Sequence, residues 1–441
     1  MARHIFTGFG FGPIQAGLFA KEAFESGNFS RIAVAEIDRQ LVEAVKANAG
    51  SYYVNVAKAD GIEALKIDGV ELLDPGAPAD RRLLMEALAQ STEIVTSLPS
   101  VNFYESGGDS SVASLIAEGL KESAGQAAIV YTAENNNHAA EILREAVARK
   151  VAGLSQAKVQ FLNTVIGKMS RVVDDPDEIA GLKLKTIAPN IQRAFLVEQF
   201  NRILVSRTCI AGFAPGIGVF IEKDDLLPFE EAKLYGHNAV HALLGFIGAL
   251  KGYEKMTELT SDPAVMQIGL DAFLAECGGA LIKKHTALAD ELFAEAGFKK
   301  YAEDLLERIT NPFLADTVAR AGRDVVRKLG LNDRIFGTMQ LALEYGIEPT
   351  NMAIGALAGI AVLMKEAHEY GLPSDLNCDD WRGLNAAQAK RILYWVWGGQ
   401  TCGQARRRLG GQARQHLGGQ ADTLIKYVLN ARQPLRMLIR Q

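Results

Sequence analysis

His4-Ile-Phe-Thr7-Gly8-Phe9-Gly10-Phe11-Gly12-Pro13-Ile14-Gln15-Ala16-Gly17-Leu18-Phe19 decides the fold. The β-prone run His4 to Thr7 leads straight into a glycine-rich turn, and the residues from Ile14 onward suit a helix. Gly8 then permits the tight turn and Gly10 the close approach of backbone to a pyrophosphate. Gly12 and Pro13 lead into a helix start whose unpaired amides stabilise negative charge. Pro13 occupies the usual third-glycine position, where a missing amide hydrogen costs a helix start nothing.

A second strand, Ile32-Ala33-Val34-Ala35-Glu36, ends on a carboxylate suited to both hydroxyls of an adenosine ribose, which favours NAD over NADP; Arg39 keeps NADP open. Two further apolar runs turn polar at their carboxyl ends, Glu93 to Pro99 and Ala127 to Asn135. Parallel strands put ligand contacts there, so Ser97 and Asn135 are candidates for the nicotinamide ribose or carboxamide, and Glu134 for capping a helix that begins near Asn137. The expected fold class is α/β, a Rossmann-type doubly wound sheet domain over residues 1–220, followed by a mainly α-helical substrate-binding domain over 221–441. Leu182 to Ile187 and Ala194 to Glu198 alternate like half-exposed strands extending the sheet. Ala239 to Leu250, Ala264 to Leu281, Thr286 to Ala296, Tyr301 to Ile309 and Pro349 to Glu369 carry helical periodicity.

Lys233-Leu-Tyr-Gly-His-Asn238-Ala-Val-His241 places a lysine, an amide and an imidazole within about two turns of one helix. At about 100° per residue, His241 lies near 80° and Asn238 near 140° from Lys233, so the three share half of the helix surface. A deprotonated lysine can take the proton of an alcohol while Asn238 and His241 donate hydrogen bonds to the oxygen as it gains negative charge. The plainer alternative is an amphipathic helix whose lysine and asparagine face water.

Taken together, these segments resemble the polyol-specific long-chain dehydrogenases, the mannitol dehydrogenase and mannitol-1-phosphate 5-dehydrogenase family, whose signature is Lys-x4-Asn-x2-His. Glu134-Asn135, Phe161-Leu-Asn163-Thr-Val, Leu281-Ile-Lys-Lys284, Asn311-Pro-Phe-Leu-Ala-Asp316-Thr-Val, Arg323 and Arg327-Lys328-Leu extend the likeness over roughly residues 3 to 350. The resemblance implies Lys233 as general base, Asn238 and His241 as polarising groups, NAD held by Gly8, Gly10 and Glu36, Asn163 bordering the substrate, and no metal. Gly167-Lys168 stand where the family has an Asp-Arg pair.

Arg323, Arg327, Lys328 and Lys284 suit a phosphate, since guanidinium forks match its oxygens; solvated helix faces paired with Asp316, Asp324 or Glu307 are the structural alternative. The expected reaction interconverts a sugar alcohol, or its phosphate, and the ketose. A sugar-acid or β-hydroxy-acid dehydrogenase would use the same arginines, and a nucleotide-binding protein without turnover is a third reading. A net charge of −5 argues against bulk nucleic-acid binding. Cys209, Cys277, Cys378 and Cys402 form no Cys-x-x-Cys pair, so neither zinc nor a disulfide framework is expected. A chain that runs directly into its first strand suggests the cytoplasm, and the apolar run Met352 to Met364 is too short to span a bilayer. No membrane partner is expected, and the chain is expected to be a monomer or homodimer. The basic, Gly-Gly-Gln-rich stretch 398–420 suits a mobile segment or the loops of a helical hairpin.

Overall fold

The computed structural model describes residues 4–123, 125–151, 158–376, 380–399 and 411–440, with the backbone only at 399 and 411–419. Cys378, Cys402 and the arginines 406–408 of the basic stretch lie outside the described residues. The chain divides into two units, Met1–Leu227 and Pro228–Gln441.

Among the described residues the first unit contains twelve strands: β1 His4–Phe9, β2 Phe29–Ala35, β3 Tyr52–Ala57, β4 Ile62–Ile67, β5 Val70–Leu73, β6 Glu93–Thr96, β7 Ala128–Thr132, β8 Val159–Ile166, β9 Ser170–Val173, β10 Ala194–Glu198, β11 Ile203–Ser206 and β12 Phe220–Lys223. The main sheet runs β12-β11-β8-β7-β6-β1-β2-β5. Its six strands from β8 to β5 are all parallel, with the strand order reversing between β1 and β6. This is the doubly wound arrangement expected from the sequence, and its ligand position is the carboxyl edge at that reversal.

Both faces of this sheet are buried, which explains the unbroken apolar runs. Ile32, Val34, Val95 and Ile129 pack on one side with Phe6. Ala33, Ala35, Ile94 and Val130 pack on the other with Phe9, as the two-residue strand period requires. Each large side chain so buried contributes about 1.5–3 kcal/mol.

The sheet extension differs from the expected one. Ala194–Glu198 is a strand, but it joins a separate sheet, β4-β3-β10-β9, and the antiparallel addition to the main sheet is made by β11. Leu182 to Ile187 forms no strand. There the buried Asn55 amide stands in for a neighbouring strand at Lys185, accepting from its amide at 2.9 Å and donating to its carbonyl at 2.8 Å.

The second unit is helical. Ala239–Lys251 and Thr350–Lys365 pack closely because Gly355 and Gly359 leave room for Leu243 and Phe246, whose atoms lie 2.8 and 2.9 Å from where a Cβ would sit. The run Pro263–Lys284 is long and apolar enough to cross a membrane, yet its Val265, Phe273, Cys277 and Leu281 are buried in the protein's own core. Thr286 to Ala296 is not a helix. Two short 3-10 turns occupy it, separated by Ala289 at φ +51°, and the helix proper is Glu295–Ile309.

Candidate functional site

In the first unit, register decides the site. Phe9 pairs with Ala35 and with Thr96, Thr96 with Thr132, and Thr132 with Asn163. The residues that follow these strands therefore share one carboxyl edge: Gly10, Glu36, Ser97, and the loop Glu134-Asn135. Sequence reasoning chose four of these as nucleotide contacts, and parallel pairing brings them together.

The roles of the glycines shift by one position. Gly8 is a strand residue, so it does not make the turn. Gly10 makes it, at φ +79°, with its amide bonded to the Ala35 carbonyl at 2.9 Å; a Cβ there would lie 2.7 Å from the Ser97 carbonyl oxygen. At Gly12 a Cβ would meet nothing within 4 Å, which leaves open the approach to the helix start at Pro13. Counted from Gly10, the third fingerprint position is Gln15 rather than Pro13. A glycine there normally lets helix and strand approach. Here Gln15 is fully buried and its amide nitrogen would lie 1.7 Å from a Gly8 Cβ, so the missing side chain has moved from the helix to the strand.

Glu36 accepts from the Phe11 amide at 2.7 Å, and from the amides of Ile37 and Asp38 at 2.7 and 2.8 Å. It thus ties the glycine loop to the end of β2 and still faces the edge where a ribose would lie. The two nearby arginines that could answer a 2′-phosphate are both paired, Arg39 with Asp74 at 3.1 Å and Arg193 with Asp38 at 2.6 Å. These features fit NAD: an open cradle at a helix start and a carboxylate at the second strand end.

Ser97 is half-buried and its amide donates to the Phe9 carbonyl at 3.0 Å; Asn135 is exposed. Glu134 does not cap the next helix. Its buried carboxylate accepts from the Thr96 hydroxyl and the Leu98 amide, both at 2.9 Å, and from the Tyr104 hydroxyl, and burial raises its pKa. The helix Ala139–Ala148 is capped instead by Asn163, which accepts from the Ala140 amide at 2.9 Å and donates to Glu141 at 2.9 Å. Asn163 therefore has a structural task within the sheet unit. Lys168 is buried as well, donating to the carbonyls of Glu198 and Phe200 at 2.5 and 2.7 Å.

In the second unit, Lys233 and Asn238 lie on a π-helical turn, Ala232–Asn238. In a π turn the hydrogen bonds run from i to i+5 and each turn holds more residues than an α turn, so residues five apart fall on the same face. Asn238 is thereby brought much closer to the line of Lys233 than the 140° expected for an α-helix. Two contacts hold the wider turn. Gly236 leaves room for Phe273, 2.4 Å from a would-be Cβ, and the Thr338 hydroxyl, 2.5 Å from its own helix's Arg334 carbonyl, also reaches the Tyr235 carbonyl at 2.9 Å.

Lys233 is half-buried, and burial, with the positive charge of Arg334 adding to it, brings its pKa down to about 8. Buried His237, on the same turn, is pushed below the usual histidine range by burial and by surrounding cations. His241 Nε2 lies 2.8 Å from the fully buried carboxylate of Asp316, which also accepts from Arg320 Nε at 2.6 Å and stays ionised. In the neutral ring this commits the single proton to Asp316 and leaves His241 Nδ1 without one, so the ring, unlike the Asn238 amide, has no second hydrogen to donate.

Among the candidate phosphate contacts, Arg323 and Arg327 are exposed and Lys328 is buried. Arg327 pairs with Asp324 at 3.3 Å; Lys328 Nζ donates to the Ala321 carbonyl at 2.5 Å, and burial together with Arg334 and Arg327 lowers its pKa to about 7. Lys284 is engaged by Glu231 at 2.7 Å. Arg334, buried and bonded to Asp333 at 2.8 Å, was not chosen from sequence; it lies outside the lysine-asparagine-histidine spacing and reaches Lys233 only through tertiary packing.

Residues 225–396 match the family model of the mannitol dehydrogenase C-terminal domain. A mannitol-1-phosphate 5-dehydrogenase of Thermoanaerobacter pseudethanolicus is 27% identical over 367 residues, 81% of this chain and 86% of that protein. Two solved structures share the fold. A D-sorbitol dehydrogenase in substrate-free form superposes with TM-score 0.73 at 16% identity, covering 98% of this chain and 93% of that one. The Pseudomonas fluorescens mannitol 2-dehydrogenase, in a ternary complex with NAD and D-mannitol, gives TM-score 0.69 at 17% identity over 99% and 94%.

Thr338→Val keeps the shape of the side chain and removes its hydroxyl, leaving the Tyr235 carbonyl without that donor. The expected cost is about 1–3 kcal/mol in urea unfolding, with Thr338→Ser near wild type. Equal stability of the valine variant would remove this bond as a support of the π turn.

Proposed function

The chain belongs to the mannitol dehydrogenase family, and on that premise we propose that it is an NAD-dependent oxidoreductase interconverting a sugar alcohol, in particular a sugar-alcohol phosphate of the mannitol 1-phosphate type, and its ketose. The observation that carries this reading is an amine of lowered pKa, Lys233, aligned with the amide of Asn238 on one turn. Lys233 in its neutral form takes the hydroxyl proton, and Asn238 donates to the oxygen as it becomes negative. Bound NAD supplies the acceptor for the hydride that leaves the carbinol carbon. In the reverse direction protonated Lys233 returns the proton to the oxygen. Activation of the oxygen falls to these two side chains, and the proposal calls for no metal.

The phosphate rests on charge. Between residues 323 and 334 stand four cations, Arg323, Arg327, Lys328 and Arg334, against two carboxylates, Asp324 and Asp333. A buried Lys328 whose charged form is disfavoured gains from a dianion, which restores that form. The mannitol-1-phosphate activity of the sequence relative agrees with this assignment.

A panel of polyols, polyol phosphates and hydroxy acids with NAD tests the proposal. Turnover of the polyol phosphates is expected, and turnover of hydroxy acids alone rejects it.

Lys233→Ala is expected to lower kcat by roughly 10²–10⁴-fold while NADH affinity, read by fluorescence titration, stays near wild type. Equal loss of cofactor binding would mean a structural lysine. Because the base works unprotonated and its pKa is lowered to about 8, kcat/KM for oxidation rises with pH up to about 8 and then levels. Arg334→Gln removes a neighbouring positive charge, so that limb moves to higher pH; an unmoved limb separates Arg334 from the base. Glu36→Ala is expected to relax the preference for NAD over NADP, and an unchanged ratio of kcat/KM values removes Glu36 from the ribose site.

A further inference from the structure

His241 stands one turn beyond Asn238, with Nε2 2.8 Å from Oδ2 of Asp316. An ionised carboxylate has no proton to give, so the hydrogen of this bond lies on Nε2. The charge of Asp316 is already answered by Arg320 Nε at 2.6 Å, and the Thr317 amide donates to the same oxygen at 2.8 Å. A positive ring would face Arg320 and Lys328 in a buried setting, with His237 one turn away on the same helical run, and burial favours the neutral form. Nδ1 then carries a lone pair. A lone pair cannot polarise a ketone or an alkoxide, because both are acceptors themselves; it can only receive a group that bears a proton.

We propose that Asp316 is a positioning residue that holds His241 as its Nε2–H tautomer, and that Nδ1 accepts a hydrogen bond from a second substrate hydroxyl, next to the one being oxidised. The enzyme then selects vicinal diols, as polyols are, over simple secondary alcohols. Asn238 serves the reacting oxygen, and His241, about 5–6 Å away on the same helix, serves its neighbour. The identity of the hydroxyl rests on the polyol reading above, whereas the tautomer can be read without turnover.

Nitrogen-15 spectra of the full-length protein labelled at its seven histidines, with His241→Asn used to assign the signal, test the tautomer directly. The expected ring near neutral pH has Nε2 protonated and Nδ1 bare, with NADH and with NADH plus polyol phosphate. A doubly protonated ring, or a proton on Nδ1, overturns the proposal whatever the substrate proves to be. Asp316→Asn presents an amide hydrogen to Nε2 and is expected to move the ring proton to Nδ1, a change that loss of packing alone does not produce. Kinetics supply the second arm. The wild-type enzyme is expected to lose roughly 10²-fold or more in kcat/KM when the neighbouring hydroxyl is replaced by hydrogen, and Asp316→Asn is expected to narrow that gap to less than about tenfold. A gap that stays unchanged in Asp316→Asn overturns the assignment of the hydroxyl to Nδ1.

Discussion

One added residue in a helical turn sets how Lys233 and Asn238 are placed on the second unit. The i to i+5 bonding of Ala232–Asn238 brings the lysine and the asparagine closer in angle around the axis than an α-helix would. A π turn is less favourable than an α turn, so it persists only where tertiary contacts demand it. Gly236 against Phe273 and the Thr338 hydroxyl on the Tyr235 carbonyl are such contacts, and Phe273 itself belongs to a second π turn, Ala272–Gly278. The two irregular turns therefore support each other, and strain at the site is held by packing around it.

Burial of several positive charges close together is the second organising feature. Lys233 and Lys328 both have lowered pKa values, and Arg334 contributes to each. For Lys233 the consequence is an amine that loses its proton more readily, as the proposed base requires. For Lys328 it is a charged form that burial disfavours and that the proposed phosphate would restore. Asp316 is the exception, since its carboxylate is fully committed to His241 and Arg320. Its bond to Nε2 fixes where a neutral His241 ring carries its proton.

The first unit solves a packing problem in an unusual way. Dinucleotide-binding turns bring helix and strand together through a glycine on the helix. In this chain the helix carries the bulky, fully buried Gln15, and the strand opposite gives up its side chain at Gly8. The close approach is preserved with the partners exchanged, while Gly10 and Gly12 keep the backbone geometry that a pyrophosphate needs.

The amino-acid sequence by itself determined the fold class, the parallel order of strands and helices, and most of the residues named here on the carboxyl edge of the sheet. These follow from local periodicity and from strands buried on both faces, and both are written along the chain. That Lys233, Asn238 and His241 lie close together was legible for the same reason, as a short spacing on one helical run. Only the tertiary structure decided the rest. Gly8 serves packing because of a glutamine seven residues away, and Asn163 caps a helix because register brings the Ala139–Ala148 start beside it. The Leu182 to Ile187 segment alternates like a strand but pairs with a side-chain amide. Arg334, Asp316 and Thr338 act on Lys233, His241 and Tyr235 from about 75 to 103 positions along the chain. Such long-range partners set the width of a turn, the tautomer of a ring and the pKa of an amine, because each depends on which charges and donors are near in space, and chain order does not encode that distance locally.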